Sequence, residues 1–323
     1  MRTFKKIYLS VLSFLLISIV FGTASYAWLT MSVVNNLENL SLTASSGNEL
    51  EISLDGDTYS TSIENYVLDE FLRDVRLQDV TSVDGVNFLT GGIIQEGPAI
   101  RNSDYLSFDI YFRTIRRENS IYLINNVSSI VEYDEPDIGT FIVSRGVSWT
   151  AKHNFQNGPE LSDMVLQGDT GVYHASNSIR ISVQELINTQ NELDHRSLDD
   201  MKIKIFDLSK DMTRGYGAPY GQFSYFQAST QTSLDLPSVV PETIYELTEF
   251  HELNPYQALN NTSLLTTLQP TGIYDTKDRE YFTGKVRINI WIEGWDADAF
   301  DSISTDRIRI QLQFKVANPA ITN

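Results

Sequence analysis

Cysteine is absent from all 323 residues, so disulfide staples, thiolate metal sites and cysteine nucleophiles are excluded, and the fold must be held by core burial alone. Histidine is nearly absent too. His153, His174, His195 and His251 are the only four, and none stands at a zinc-type spacing from another. His251-Glu252 opens like a metalloprotease helix, but position 255 is Pro, where one turn later a second ring nitrogen would have to be presented. The chain also lacks a Gly-x-Ser-x-Gly elbow, a phosphate-cradling Gly-x-x-x-x-Gly-Lys loop and a dinucleotide fingerprint, so neither nucleophilic nor nucleotide chemistry has a candidate motif. A glycosidase-type carboxylate pair is the one catalytic arrangement that spacing does not address. Without a motif to supply the roles a reaction needs, the chain reads as non-enzymatic.

Positive charge is in short supply. Lys and Arg total 24 against 42 Asp and Glu, and three of the bases, Arg2, Lys5 and Lys6, sit at the extreme N-terminus. Residues 28–323 therefore carry 21 basic and 42 acidic residues, a net charge of −21. A charge of that sign repels phosphate backbones, which removes nucleic acid from the partner classes. Pro-rich linkers, fixed-period repeats and coiled-coil heptads are also missing.

What the sequence does have begins at its start. Arg2, Lys5 and Lys6 precede an apolar run from Ile7 to Phe21, and small residues follow at Ala24, Ser25 and Ala27. That is the layout of a secretion signal, with the positive end held on the cytoplasmic side. Ser25-Tyr26-Ala27 has the small-x-small form of a cleavage site. Ile7–Trp28 also approaches the roughly 20 apolar residues of a spanning helix, so 1–27 is read as a signal peptide or membrane anchor. Residues 28–323 are then an extracellular domain, with membrane contact confined to the N-terminal segment.

Alternation of apolar and polar residues dominates the remainder. Ile308, Ile310, Leu312, Phe314 and Val316 share one face, as do Val286, Ile288, Ile290 and Ile292, and Leu106, Phe108, Ile110 and Phe112. Weaker β-like runs fall at 40–44, 50–54, 121–125, 140–143 and 178–183, punctuated by Asp55-Gly56, Asp84-Gly85, Gly91-Gly92 and Gly284. The pattern predicts a mainly β fold, a jelly-roll-like antiparallel sandwich with helical insertions, in which the two C-terminal strands are sheet neighbours. Helices are expected over 61–75, 184–193 and 242–252. The stretch 210–241 is expected as a long loop or small insertion, and 151–284 as a candidate inserted subdomain.

The residues Gly22-Thr23-Ala24-Ser25-Tyr26-Ala27-Trp28-Leu29-Thr30, followed by the strand-like Leu40-Ser41-Leu42-Thr43-Ala44, resemble the export and processing region of TasA and camelysin-type surface and matrix proteins of Gram-positive bacteria. The resemblance implies maturation by a dedicated signal peptidase, a jelly-roll-like sandwich and, as in TasA, polymerisation into the extracellular fibres of a biofilm matrix. It carries no catalytic residue with it.

Three groups of residues stand out as candidate sites. Asp296, Asp298 and Asp301, in the connection between the two best strands, offer oxygens for Ca²⁺, or else Asp296 caps a short turn while the acids face water. Tyr216, Tyr220 and Tyr225, interleaved with glycines, either present rings to a sugar or a host protein or close one end of the sandwich. Arg113, Arg116 and Arg117 form a basic patch, and Arg287, Arg307 and Arg309 form a second if their strands adjoin. The leading expectation is an extracellular structural subunit that self-assembles or meets other surface proteins, with an arm at 28–39 free to add a strand to a neighbour. The alternative is a monomeric carbohydrate- or host-protein-binding module using the tyrosine loop.

Overall fold

The computed structural model describes residues 11–18, 34–45, 49–63, 67–68, 75–125, 131–135 and 138–320. Residues 11–18, inside the apolar run, are helical and exposed. Among the described residues no helix is long and apolar enough to cross a membrane. Ser25, Ala27 and residues 28–33 of the arm lie outside the described residues.

Beyond that segment the chain is mainly β. In order the strands are β1 (Val34–Ala44), β2 (Leu50–Ser53), β3 (Ser62–Ile63), β4 (Leu77–Thr81), β5 (Leu89–Thr90), β6 (Gly97–Pro98), β7 (Leu106–Thr114), β8 (Ser120–Leu123), β9 (Phe141–Ser144), β10 (Val147–Thr150) and β11 (Phe155–Gln156). There follow β12 (Met164–Val165), β13 (Thr170–Tyr173), β14 (Ile179–Leu186), β15 (Ile203–Asp207), β16 (Thr243–Ile244), β17 (Phe250–His251), β18 (Asn254–Ala258), β19 (Leu264–Thr267), β20 (Gln269–Tyr274), β21 (Glu280–Glu293) and β22 (Arg307–Ala317). One helix, α1 (Gln222–Thr230), lies between β15 and β16.

Sixteen of these strands join in a single curled sheet of mixed direction. In one half β21 is central. Its Ile288 and Ile290 lie opposite Val183 and Ile181 of β14 on one side and opposite Phe108 and Leu106 of β7 on the other, so apolar rows run across three strands. In the other half β1 and β22 run parallel, with Leu40 opposite Ile310 and Leu42 opposite Leu312. Strand β4 ties the halves together by pairing with both β1 and β21. The inward residues of both halves form one hydrophobic cluster. Phe112 of β7 meets Phe314 of β22 edge to face, with ring centroids 5.1 Å apart, so the two halves are in direct contact.

Several expectations are corrected here. Strands β21 and β22 are not neighbours, because residues 294–306 carry the chain from one half to the other. From Val34 onward the expected free arm is β1 itself, with Leu37, Leu40 and Leu42 buried in the chain's own core. Residues 151–284 contribute β14, β15, β16, β19 and β20 to the common sheet, and Ile179, Ile181, Val183 and Phe206 to the common core, rather than standing apart. Of the helix expected over 61–75, residues 67–68 are helical, Ser62–Ile63 are strand, and 64–66 and 69–74 lie outside the described residues. The segment 184–193 completes β14 and turns, and 242–252 holds β16 and β17. Helix α1 lies instead within the stretch expected as loop.

Because β1 is built into the core, truncating its side chains should behave as core truncation. Leu40→Ala and Leu312→Ala are each expected to lower the unfolding free energy by about 2–5 kcal/mol in urea titrations. Val172→Ala, at a strongly exposed position, is expected to change it by no more than about 0.5 kcal/mol.

Candidate functional site

The acidic connection after β21 is the densest charged region in the fold. It starts where Gly294 passes so close to Gly92 that a Cβ on Gly294 would collide with the Gly92 backbone. Its path is then fixed by backbone bonds to the stretch 214–222. Ala297 donates to the Arg214 carbonyl at 2.9 Å, Gly217 to that of Trp295 at 2.9 Å, and Gln222 to that of Ala297 at 2.8 Å. Gly221, at φ +59°, is required for this, since a side chain there would strike the Ala297 carbonyl.

Each of the three candidate calcium ligands is turned to a different cation. Arg180, on β14, binds Asp296 and, at 2.8 Å, Asp207 at the end of β15. Arg214 holds Asp298 through Nε and Nη2, the shorter contact 2.7 Å. Lys152 reaches Asp301 at 2.8 Å, and the Tyr225 hydroxyl donates to the same carboxylate oxygen at 3.0 Å. The calcium reading is therefore corrected: the oxygens diverge toward neighbouring bases instead of converging on one point. Among the described residues no group of three or more such ligands is placed to hold a metal ion. The picture of acids facing water is corrected as well. Asp296 does bond the Asp298 amide at 2.9 Å, as a turn cap would, but its other oxygen is spent on Arg180.

The cluster is closed to solvent. Arg180, Asp207, Glu293 and Asp296 are each no more than 2 % exposed. Glu293 accepts from the Trp291 indole at 2.9 Å and from the amides of Ser82 and Trp295. With three buried carboxylates around one guanidinium, negative charge is in excess. Burial pushes the Asp296 carboxyl up to about 8 despite the pull of Arg180, and Asp207 and Glu293 are raised for the same reason. The arrangement works as a cross-brace linking β14, β15 and the connection after β21. A substrate has no route to it.

The tyrosine loop covers this brace. Tyr216 packs toward Trp295, Tyr220 donates its hydroxyl to the Thr213 carbonyl, and Tyr225 sits in an aromatic cluster with Trp149, Phe155 and Phe300. All three rings are buried. Of the two readings, closure of the fold is what the geometry gives, and a binding face made of Tyr216, Tyr220 and Tyr225 is corrected. Most of the arginines of the two basic patches are ion-paired, while Arg117 is exposed and Arg309 donates to the Tyr133 carbonyl. Arg113 binds Glu51, Arg116 binds Glu49 and Glu118, Arg287 binds Asp109 and Arg307 binds Glu38. Arg307 and Arg309 lie on β22, separated from Arg287 on β21 by β4 and β1.

Arg180 and Asp207, the centre of the brace, escaped the sequence reading because alternation in β14 puts Arg180 on the polar, nominally solvated face. One signal did exist. Trp291 occupies the polar-facing set of β21, and an indole there announces a second covered face. In the structure it packs in a small outer cluster with Val80, Phe88, Tyr105 and Ile205.

Two outcomes follow from the brace. Replacing Arg180 with Met leaves buried carboxylates without their cation and is expected to cost roughly 3–5 kcal/mol in chemical unfolding. Between the ordinary carboxyl value of 3.8 and about 8, the folded chain retains a proton on Asp296 that the unfolded chain has released. This group's contribution to stability is therefore greatest on the acid side of that window and falls as pH rises through it. The urea midpoint is expected to drop between about pH 5 and about pH 8, and the drop should shrink in Asp296→Asn. An unchanged slope in that variant would remove Asp296 as its origin.

No protein-family profile matches the chain, and no match is found among curated proteins or solved structures.

Proposed function

We propose that the chain is an exported, non-enzymatic surface or matrix subunit with a jelly-roll-like sandwich body, which assembles with further copies through an open sheet edge. The observation that carries the reading is β16. It is the terminal strand of the sheet path, paired along one side with β15 in parallel. Its surroundings form a groove of about 1050 Å³, lined by residues 243–250, by Met212 and Leu259, and by the charged Lys210 and Glu252. An edge beside a partly apolar groove suits the addition of an extended segment, with ladder hydrogen bonds giving affinity and alternate side chains giving register.

The sequence supplies a segment of that kind. Trp28-Leu29-Thr30-Met31-Ser32-Val33 lies between the expected cleavage site and β1 and is largely apolar. Residues 34–44 are committed to the chain's own core, so the six residues before them are the part of the arm we assign to a neighbouring copy. Export by the N-terminal signal would deliver the body outside the cell, and processing after Ala27 would free this segment. The resemblance to TasA and camelysin-type proteins points the same way.

The test compares 28–323 with 34–323 by electron microscopy and by light scattering at rising concentration. Regular fibres from 28–323 are expected, with none from 34–323 although its unfolding transition is retained. A strictly monomeric 28–323 under all salt and pH conditions would sink the assembly reading. Fibres from 34–323 would keep assembly but remove residues 28–33 from it.

A further inference from the structure

A second concavity, separate from the β16 groove and from the buried brace, lies at the N-terminal end of β21. There β20, the β2 turn and the loop leaving β14 converge on a cleft of about 470 Å³, within the roughly 300–1,000 Å³ of small-ligand pockets. We propose that this cleft binds a neutral saccharide segment of an extracellular polysaccharide.

The first observation is how much buried polar structure holds its rim. After β14 the chain turns through 187–197, and Asn188, Asn191 and Asp194 are all buried there. Asn188 donates through Nδ2 to Thr283 Oγ1 at 3.2 Å, and Asn191 through Nδ2 to the Pro270 carbonyl at 3.0 Å. Asp194 accepts from the Asn188 amide at 2.8 Å and pairs with Arg196, which also binds Glu185. Buried amides and carboxylates are costly unless fully bonded, and here the bonds fix one loop shape. Among the residues the loop leaves exposed, Gln190 and Glu192 line the cleft. Gln190 is pinned across the cleft, donating to the Asp55 carbonyl at 3.1 Å. Its amide packs against Gly56, at φ +81°, where any Cβ would overlap it.

The second observation concerns the opposite wall. The Arg113 guanidinium lies 4.1 Å from the Tyr59 ring centroid and 5.0 Å from that of Tyr281, locking both rings in place. Its charge is already met by Glu51 at 2.8 Å, so the wall has no free cation for an anion. The cleft thus offers two half-buried tyrosine rings, a pinned amide, a carboxylate and the exposed Ile273 side chain. That mixture matches a ligand with apolar ring faces and many hydroxyl groups. It does not match a phosphate, which Glu192 would repel.

The experiment is saturation-transfer NMR and calorimetry on the full chain with neutral oligosaccharides of β-linked glucose and of β-linked N-acetylglucosamine, and with a polyol phosphate as the anionic probe. Binding of a neutral oligosaccharide is expected, weakened about fivefold to tenfold by Gln190→Ala and by Glu192→Ala, with the thermal midpoint unchanged in Glu192→Ala because that side chain is exposed. Affinity that survives both substitutions would overturn the placement. Preference for the polyol phosphate, or absence of binding to every neutral probe at millimolar concentration, would overturn the ligand class. Because the readout is binding by the dissolved chain, failure here leaves the assembly reading standing, and the converse holds too.

Discussion

Strand β21 is covered on both of its faces, and the rest of the architecture answers to that fact. Its inward residues Val286, Ile288, Ile290 and Ile292 join the main core, while Asn289, Trp291 and Glu293 on the other face are buried too. Polar groups placed there need partners because water is excluded. Asn289 donates to Ser182 and to the Gly85 carbonyl, and Trp291 donates to Glu293. The turn after β4 supplies the cover, which is why its Asp84-Gly85 corner is so tightly specified. Asp84 accepts from the amides of Val86 and Asn87, and Gly85 takes φ +71°. The Asp55-Gly56 turn repeats the device, with Asp55 accepting from Asp57 and Thr58.

The same covered face explains the brace. Arg180 lies on β14 beside β21, so once that side is closed the guanidinium must find carboxylates or pay heavily for its burial. An apolar replacement of the whole group would serve stability as well or better. What an ion cluster adds is selectivity of arrangement, because Arg180 is satisfied only when the end of β15 and the connection after β21 are both seated. The brace therefore locks the 210–230 stretch over residues 293–301 in one register, and the aromatic rings fill the volume that remains.

Alternation was a dependable guide wherever one face of a strand met the core. All three long alternating runs, and the shorter ones at 40–44, 50–54, 121–125, 140–143 and 178–183, fall within or overlap strands β1, β2, β7, β8, β9, β14, β21 and β22. It misled wherever tertiary cover reached the second face, since Arg180 and Asp296 read as solvated residues until the covering segments are in place. Helix α1 was illegible for another reason. Phe223, Tyr225, Phe226 and Ala228 are spread around it rather than along a stripe, because it is packed on more than one side. Strand partners were not legible either: β21 and β22 adjoin in sequence, yet β22 pairs with β1 from the opposite end of the chain. The saccharide cleft left no linear signature, its residues being drawn from four separate stretches of sequence.

That long-range pairing also bears on how such a chain folds. The first described strand, β1, cannot complete its main pairing until β22, the last described strand, is available. Folding dominated by contacts of this separation is slow, since loop-closure entropy must be overcome before the pairing rewards it. Export as proposed, with the chain held unfolded until β22 has crossed the membrane, would suit that order of events. Without cysteine, its persistence afterwards rests on the cost of reopening a core in which the first and last strands lie side by side. Edge-to-edge assembly would add to that persistence by covering β16 and by tethering the residues just ahead of β1, the strand whose loss would open the core.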